Sequence, residues 1–132
     1  MGKKRKVKRK RSMASLKREA LKTWGAVILK RDPTCRVCKR GPSRNPHHLF
    51  PRSRYRHLWF DLRNGVGLCT SCHYRIHYDP VIPVLKIVDE MGNSYGHLEL
   101  DAALGRRRNP YKRVELENII VALKEGQCLS LK

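Results

Sequence analysis

Two C-x2-C pairs, "CRVC" (Cys35, Cys38) and "CTSC" (Cys69, Cys72), stand thirty residues apart and constrain this chain more than any other feature. At 132 residues the chain supports one compact domain with a modest core. In a reducing compartment such pairs bind metal in preference to forming disulfides. Each knuckle offers two thiolates at fixed spacing, and together they predict a tetrahedral zinc site that staples a small fold. The zinc is expected to be structural, because four sulfur ligands leave no position for water or substrate. A fifth cysteine, Cys128, stands alone and is expected to be a plain apolar or surface thiol.

Net charge is the strongest global signal. The chain carries +19 with a pI near 10.4, and eight of the nine residues in "KKRKVKRKR" (Lys3 to Arg11) are basic. Without them 22 basic residues still face 11 acidic ones, which a solubilising tail does not explain. A polyanion does, since each neutralised phosphate releases counterions. Nucleic acid is therefore the expected partner. Residues 1–12 form an expected disordered basic arm whose Lys3, Lys4, Arg5 and Lys6 follow a phosphate backbone without reading sequence. "KKRKV" resembles a nuclear-import signal, and "MAS" at Met13 resembles a second start, so an engineered arm is an open alternative. No apolar run is long enough to span a bilayer, and none follows the basic N-terminus as in a secretory signal. The expected location is cytoplasmic.

Along the rest of the chain, residues 13–132 are expected to be one domain, with a core at 35–80 and a helical extension at 81–132. Ser15 to Asp32 predicts a helix, because Leu16, Ala20, Trp24 and Val27 recur at helical spacing and Leu21 and Ile28 widen the stripe. Trp24 is expected to pack, and Pro33 stops the helix. An extended piece is expected around His47 to Phe50, followed by a basic connector with Arg52, Arg54, Arg56 and Arg63. "NGVGLCTSCHYRIHYDP" predicts a turn, a strand at Val66 to Leu68, a knuckle and a helix. "VIPVLKIVDEMG" predicts a short helix stopped at Gly92. "HLELDAALG" is ambiguous between helix and strand. A last helix is expected from near Asn109, burying Val114, Ile119, Ala122 and Leu123.

The histidines carry the remaining chemistry. His73 and His77 are spaced i, i+4 on the predicted helix, so they share a face and can hold a second metal. A third ligand must come from elsewhere, and His47 is the candidate. On a strand, neighbours face opposite sides, so a His47 turned toward an ion turns His48 away. An uncoordinated imidazole is a ready general base near neutral pH; a structural, satisfied His48 is the alternative, and His77 could instead cap or pack the helix.

In the order C-x2-C, His-His, Asn, C-x2-C-His, x3-His, residues 35–77 resemble the HNH endonucleases and their ββα-metal motif. The flanking knuckles are similar to those of the zinc-ribbon branch found in phage and bacterial genomes. The resemblance implies an α+β fold: a small ββα-metal core with a four-cysteine zinc site, flanked by N- and C-terminal helices. It implies double-stranded DNA as the first partner, in the cytoplasm of a bacterium or a phage-infected host, and hydrolysis of its phosphodiesters to 5′-phosphate and 3′-hydroxyl ends. In that scheme His48 is the general base, Asn64 steadies the loop carrying it, and His47 and His73 hold a divalent catalytic ion with His77 as a further ligand. Many relatives have Asp-His where this chain has His-His. Nitrogen in place of oxygen moves preference from Mg2+ toward Zn2+, Ni2+ or Mn2+. Arg52, Arg54, Arg56 and Arg75 are candidate phosphate clamps. Two rival expectations stand beside this one: a non-catalytic zinc-ribbon module that binds nucleic acid, and a nuclease subunit of a phage packaging or recombination complex.

Overall fold

A computed structural model of the chain describes residues 2–4, 9–105 and 111–126. Arg5, Lys6, Asn109 and Cys128 lie outside the described residues. The described part is mixed α+β, with five α-helices and one two-stranded antiparallel sheet. Among the described residues no helix is long and apolar enough to cross a membrane.

Helix α1 spans Met13–Arg31. The Ser12 hydroxyl caps it by accepting from the Ser15 amide at 3.1 Å, which satisfies one of the orphan donors of the first turn. Pro33 cannot extend it, and the Asp32 amide closes the last turn on the Ile28 carbonyl at 2.9 Å. The buried stripe is Leu16, Ala20, Trp24 and Ile28, a strict i, i+4 row; Leu21 and Val27 are only partly buried against it. At the end of the arm, Arg11 pairs with Glu19 and its carbonyl accepts from Arg113.

Strands β1 (Asn45–His48) and β2 (Gly65–Leu68) pair with His47 opposite Val66 and His48 opposite Gly65. Two short 3-10 turns, Arg56–Leu58 and Leu62–Asn64, fill the connection between them. The extended piece thus lies two residues earlier than expected. The Phe50 amide is taken by the Asn64 side chain at 2.7 Å, and the chain leaves the ladder there. Gly65 and Gly67 let α1 lie directly on β2. A methyl group on Gly65 would collide with Trp24 and Ile28, and one on Gly67 would come within 2.9 Å of the Asp32 backbone.

Four further helices follow: α2 (Thr70–Tyr78), α3 (Val81–Met91), α4 (Asn93–Leu104) and α5 (Arg113–Lys124). Gly92, at a φ of 56°, ends α3, a conformation that glycine adopts without steric penalty. The ambiguous "HLELDAALG" is helical, since Leu98 and Ala102, one turn apart, are the pair it buries. Helix α5 buries Leu116, Ile120 and Leu123 against α1. Val114 is 64% exposed, a correction to the expected face: Val114 precedes the row that starts at Leu116, and only that row meets α1. Ile119 and Ala122 are partly buried.

Asp32 ties these parts together. Its buried carboxylate accepts from Arg31 at 2.8 and 2.9 Å, from Arg36 of the first knuckle at 3.2 Å, and from the Gly67 amide of β2 at 3.0 Å. Burial pushes its pKa up, but Arg31, the Gly67 amide and Arg36 outweigh that and hold it below the usual carboxylate value. Asp32→Asn should therefore cost about 2 kcal/mol in urea unfolding at pH 7. A depressed native pKa gives stability above the unfolded value of about 3.9 that is lost as pH falls through the native one. The gap between wild type and variant should be constant above about pH 5 and shrink below about pH 4.

Candidate metal centre

The first knuckle is a tight turn. The Cys35 amide donates to the Gly41 carbonyl at 2.9 Å and the Lys39 amide to the Cys35 carbonyl at 3.0 Å, with Lys39 at a φ of 59°. It is sewn to β2 by two amides, Arg36 to the Gly67 carbonyl at 3.0 Å and Arg44 to the Leu68 carbonyl at 2.9 Å. The second knuckle begins at the N-terminus of α2, where the Cys69 sulfur accepts from the Cys72 amide at 3.4 Å. The four sulfurs lie within 4.8 Å of one another, with Cys38 and Cys69 at 3.8 Å.

The donor chemistry fits a zinc ion. Backbone amides of Arg40 and Gly41 lower the Cys38 pKa to about 6, so its thiolate is accessible near neutral pH. Burial raises Cys35, yet the amides of Cys69, Cys38 and Val37 leave it below its ordinary value. Cys72 is pushed up, by burial first and then by its three sulfur neighbours. Four thiols crowded this closely repel one another as thiolates, and a divalent cation removes that repulsion. The group can hold zinc, and its burial beside Val37, Val66, Leu68, Ile76 and Ile87 suits a structural ion.

A second cluster sits across α2. His47 from β1 and His73 and His77 from α2 bring their ligand nitrogens within 4.8 Å of one another. Ring centroids are 5.0 to 5.5 Å apart, and the Nε2 atoms of His73 and His77 are 3.4 Å apart. Burial, followed by the neighbouring imidazoles, lowers the His47 pKa to about 4. Burial and His77 lower that of His73. The His47 ring is therefore neutral near pH 7 with a lone pair available, and among the described residues no hydrogen bond engages it.

His48 points the other way. Its ring stacks on Trp24 with centroids 4.0 Å apart and planes at 9°. Its Nε2 lies 2.9 Å from the Trp59 carbonyl. A carbonyl only accepts, so Nε2 carries the proton and Nδ1 keeps a lone pair. Burial lowers its pKa, the Trp59 carbonyl raises it, and Arg52 lowers it, for a net fall. Asn64, fully buried, accepts from the Phe50 amide and donates to the carbonyls of Phe50 and Leu58 at 3.1 Å each. It closes the loop that runs from β1 to β2.

One open cleft of about 460 Å³ is lined by His47, His48, His73, His77 and Arg52. Arg54, Arg56 and Arg75 are exposed but do not line it. Arg63 of the connector is engaged instead by Asp61 at 2.6 Å and Asp101 at 2.7 Å. Lys3 and Lys4 are exposed and outside any helix or strand. Trp24 and the Trp59 carbonyl are site components that the histidine pattern does not announce. Gly65, opposite His48, leaves room for Trp24, but the pairing that gives this glycine its meaning is set only in the fold.

No protein-family model, curated protein or solved structure matches the chain. The fold itself carries a small ββα-like arrangement and a cysteine cluster able to bind zinc.

Cys38→Ala should hold one metal ion fewer per chain than wild type in native mass spectrometry. Its melting temperature should fall by about 10 °C or more, since structural zinc contributes directly to folding free energy.

Proposed function

We propose that the chain is a metal-dependent endonuclease of the HNH kind, hydrolysing DNA phosphodiesters in the cleft between β1 and α2. The observation that carries this reading is the split of two adjacent histidines across one cleft: His47 facing His73 and His77, and His48 facing Trp24 with Nδ1 unbonded. A structural zinc ribbon requires neither a three-imidazole group nor a separately held fourth imidazole.

His47, His73 and His77 would hold the catalytic ion, and a nitrogen donor set favours Zn2+, Ni2+ or Mn2+ over Mg2+. Such an ion supplies Lewis-acid stabilisation of charge on a phosphate oxygen and on the leaving 3′-oxygen. Nδ1 of His48 takes a proton from the attacking water. The Trp59 carbonyl fixes the tautomer that leaves Nδ1 basic, and the Trp24 ring fixes its plane. Asn64 keeps the loop between the strands closed, so that His48 stays at the end of β1. Arg52, on the cleft wall, offers a guanidinium to a phosphate next to the scissile one. The remaining positive charge draws DNA to the surface without sequence preference.

Purified protein should nick or cut supercoiled plasmid with at least one ion from a panel of Zn2+, Ni2+, Mn2+ and Mg2+. His48→Ala should lower the rate by about 10²- to 10⁴-fold while DNA affinity stays within about twofold. His47→Ala and His73→Ala should lose the ion and the activity together. Equal cutting by wild type and His48→Ala would overturn the base assignment. Binding without cleavage under every ion, with one metal per chain, would return the protein to the zinc-ribbon class.

A further inference from the structure

Tyr74 and Tyr78 follow His73 and His77 by one residue on α2. One step along a helix turns about 100° and rises about 1.5 Å, so the tyrosines form a second stripe beside the histidine stripe. Their ring centroids are 4.4 Å apart with planes at 41°. They are 65% and 70% exposed. Helix α2 is anchored to the core by Cys72 and Ile76, so the fold does not need these rings. Contact within such an i, i+4 pair contributes only about 0.2–0.5 kcal/mol to a helix. Two large aromatic surfaces are thus held together in solvent beside the cleft of a chain charged +19.

That charge selects a polyanion, and aromatic faces select the kind. In a continuous duplex every base face is covered by its neighbours, and exposed tyrosine rings have nothing to stack on. In a single strand the faces are free, and each base–aromatic stack is worth about 1–3 kcal/mol. We propose that Tyr74 and Tyr78 form a stacking platform for unpaired nucleobases, so that the strand led into the histidine cleft is single-stranded or locally unpaired nucleic acid. Val81, Ile82 and Leu85 are also exposed, which raises a second copy of the chain as the rival occupant. Two copies bring +19 against +19, whereas a nucleic acid strand brings the opposite charge.

The link between this platform and a scissile bond rests on the nuclease reading, but the test reads binding. Fluorescence anisotropy with no added divalent ion compares a labelled oligothymidylate with a duplex of equal length. The Tyr74→Ala/Tyr78→Ala variant should bind the single strand more weakly than wild type by about 30-fold or more and the duplex within about twofold. The Tyr74→Phe/Tyr78→Phe variant should bind both as wild type does. Unchanged single-strand affinity in the alanine variant overturns the proposal, and so does an equal loss on duplex. A wild-type dimer by sedimentation that the alanine variant dissociates also overturns it, in favour of the second copy. If wild type cuts no nucleic acid yet shows the single-strand contrast, the nuclease reading fails and the platform stands. If it cuts plasmid and the contrast is absent, the platform fails alone.

Discussion

The pairing of His48 with Gly65 is the contact on which the geometry of the cleft depends. Because Gly65 has no side chain, Trp24 and Ile28 of α1 occupy the space a Cβ would fill. That approach puts the Trp24 ring flat against His48 at 4.0 Å. Any other residue at 65 would lift α1 off the sheet and remove the surface on which the imidazole rests. Trp24 is itself held from behind, its indole N–H donating to the Asp61 carbonyl at 3.1 Å. Helix α1, which ends just before the cysteine–histidine motif, therefore backs the His48 side of the sheet and is not a separate cap on the fold.

The cysteine cluster does for the other side of the sheet what α1 does for this one. With apolar residues at 40% of 132 positions, the chain cannot fill one large core. The described residues form three smaller clusters, around Trp24, around Val66 and Leu68, and around Leu98. The middle cluster is half built from the knuckles, so a zinc ion there would replace missing apolar area with coordination energy. Asp32 couples the first two clusters, since Arg31 and Asp32 close α1 while Arg36 and Gly67 belong to the knuckle and its strand.

The legible parts of the chain were those with a strong local period or a fixed spacing. Helix α1 is readable because Leu16, Ala20, Trp24 and Val27 recur at helical spacing with Ile28 beside them, though the fold buries Ile28 and leaves Val27 only partly covered, and the four-cysteine group is readable because each pair has its own turn. Helix α4 was not, because "HLELDAALG" alternates as well as it rotates, and only burial of Leu98 and Ala102 decides between the two. The face of α5 is not legible at Val114, because several apolar residues compete for one stripe and the partner helix makes the choice. The stacking of Trp24 on His48 was invisible for a different reason. Residues 24, 48 and 65 meet only in three dimensions, and no spacing along the chain encodes that meeting.

The cleft uses both backbone periodicities at once, and each serves a different requirement. Two groups that must point at one centre are placed i, i+4 on a helix, as His73 and His77 are, because a helix returns to the same face after about one turn. Two groups that must be kept apart are placed side by side on a strand, as His47 and His48 are, because a strand reverses face at every step. Exchanging the arrangements would fail. Adjacent histidines on α2 would diverge by about 100°, and histidines two apart on β1 would crowd one face and leave no imidazole against Trp24. The strand therefore has to end at His48. One residue further, the Leu49 amide still reaches the Asn64 carbonyl at 2.9 Å, but the Phe50 amide goes to the Asn64 side chain. Asn64 thus sets where alternation stops, and with it which histidine is the last to face α1.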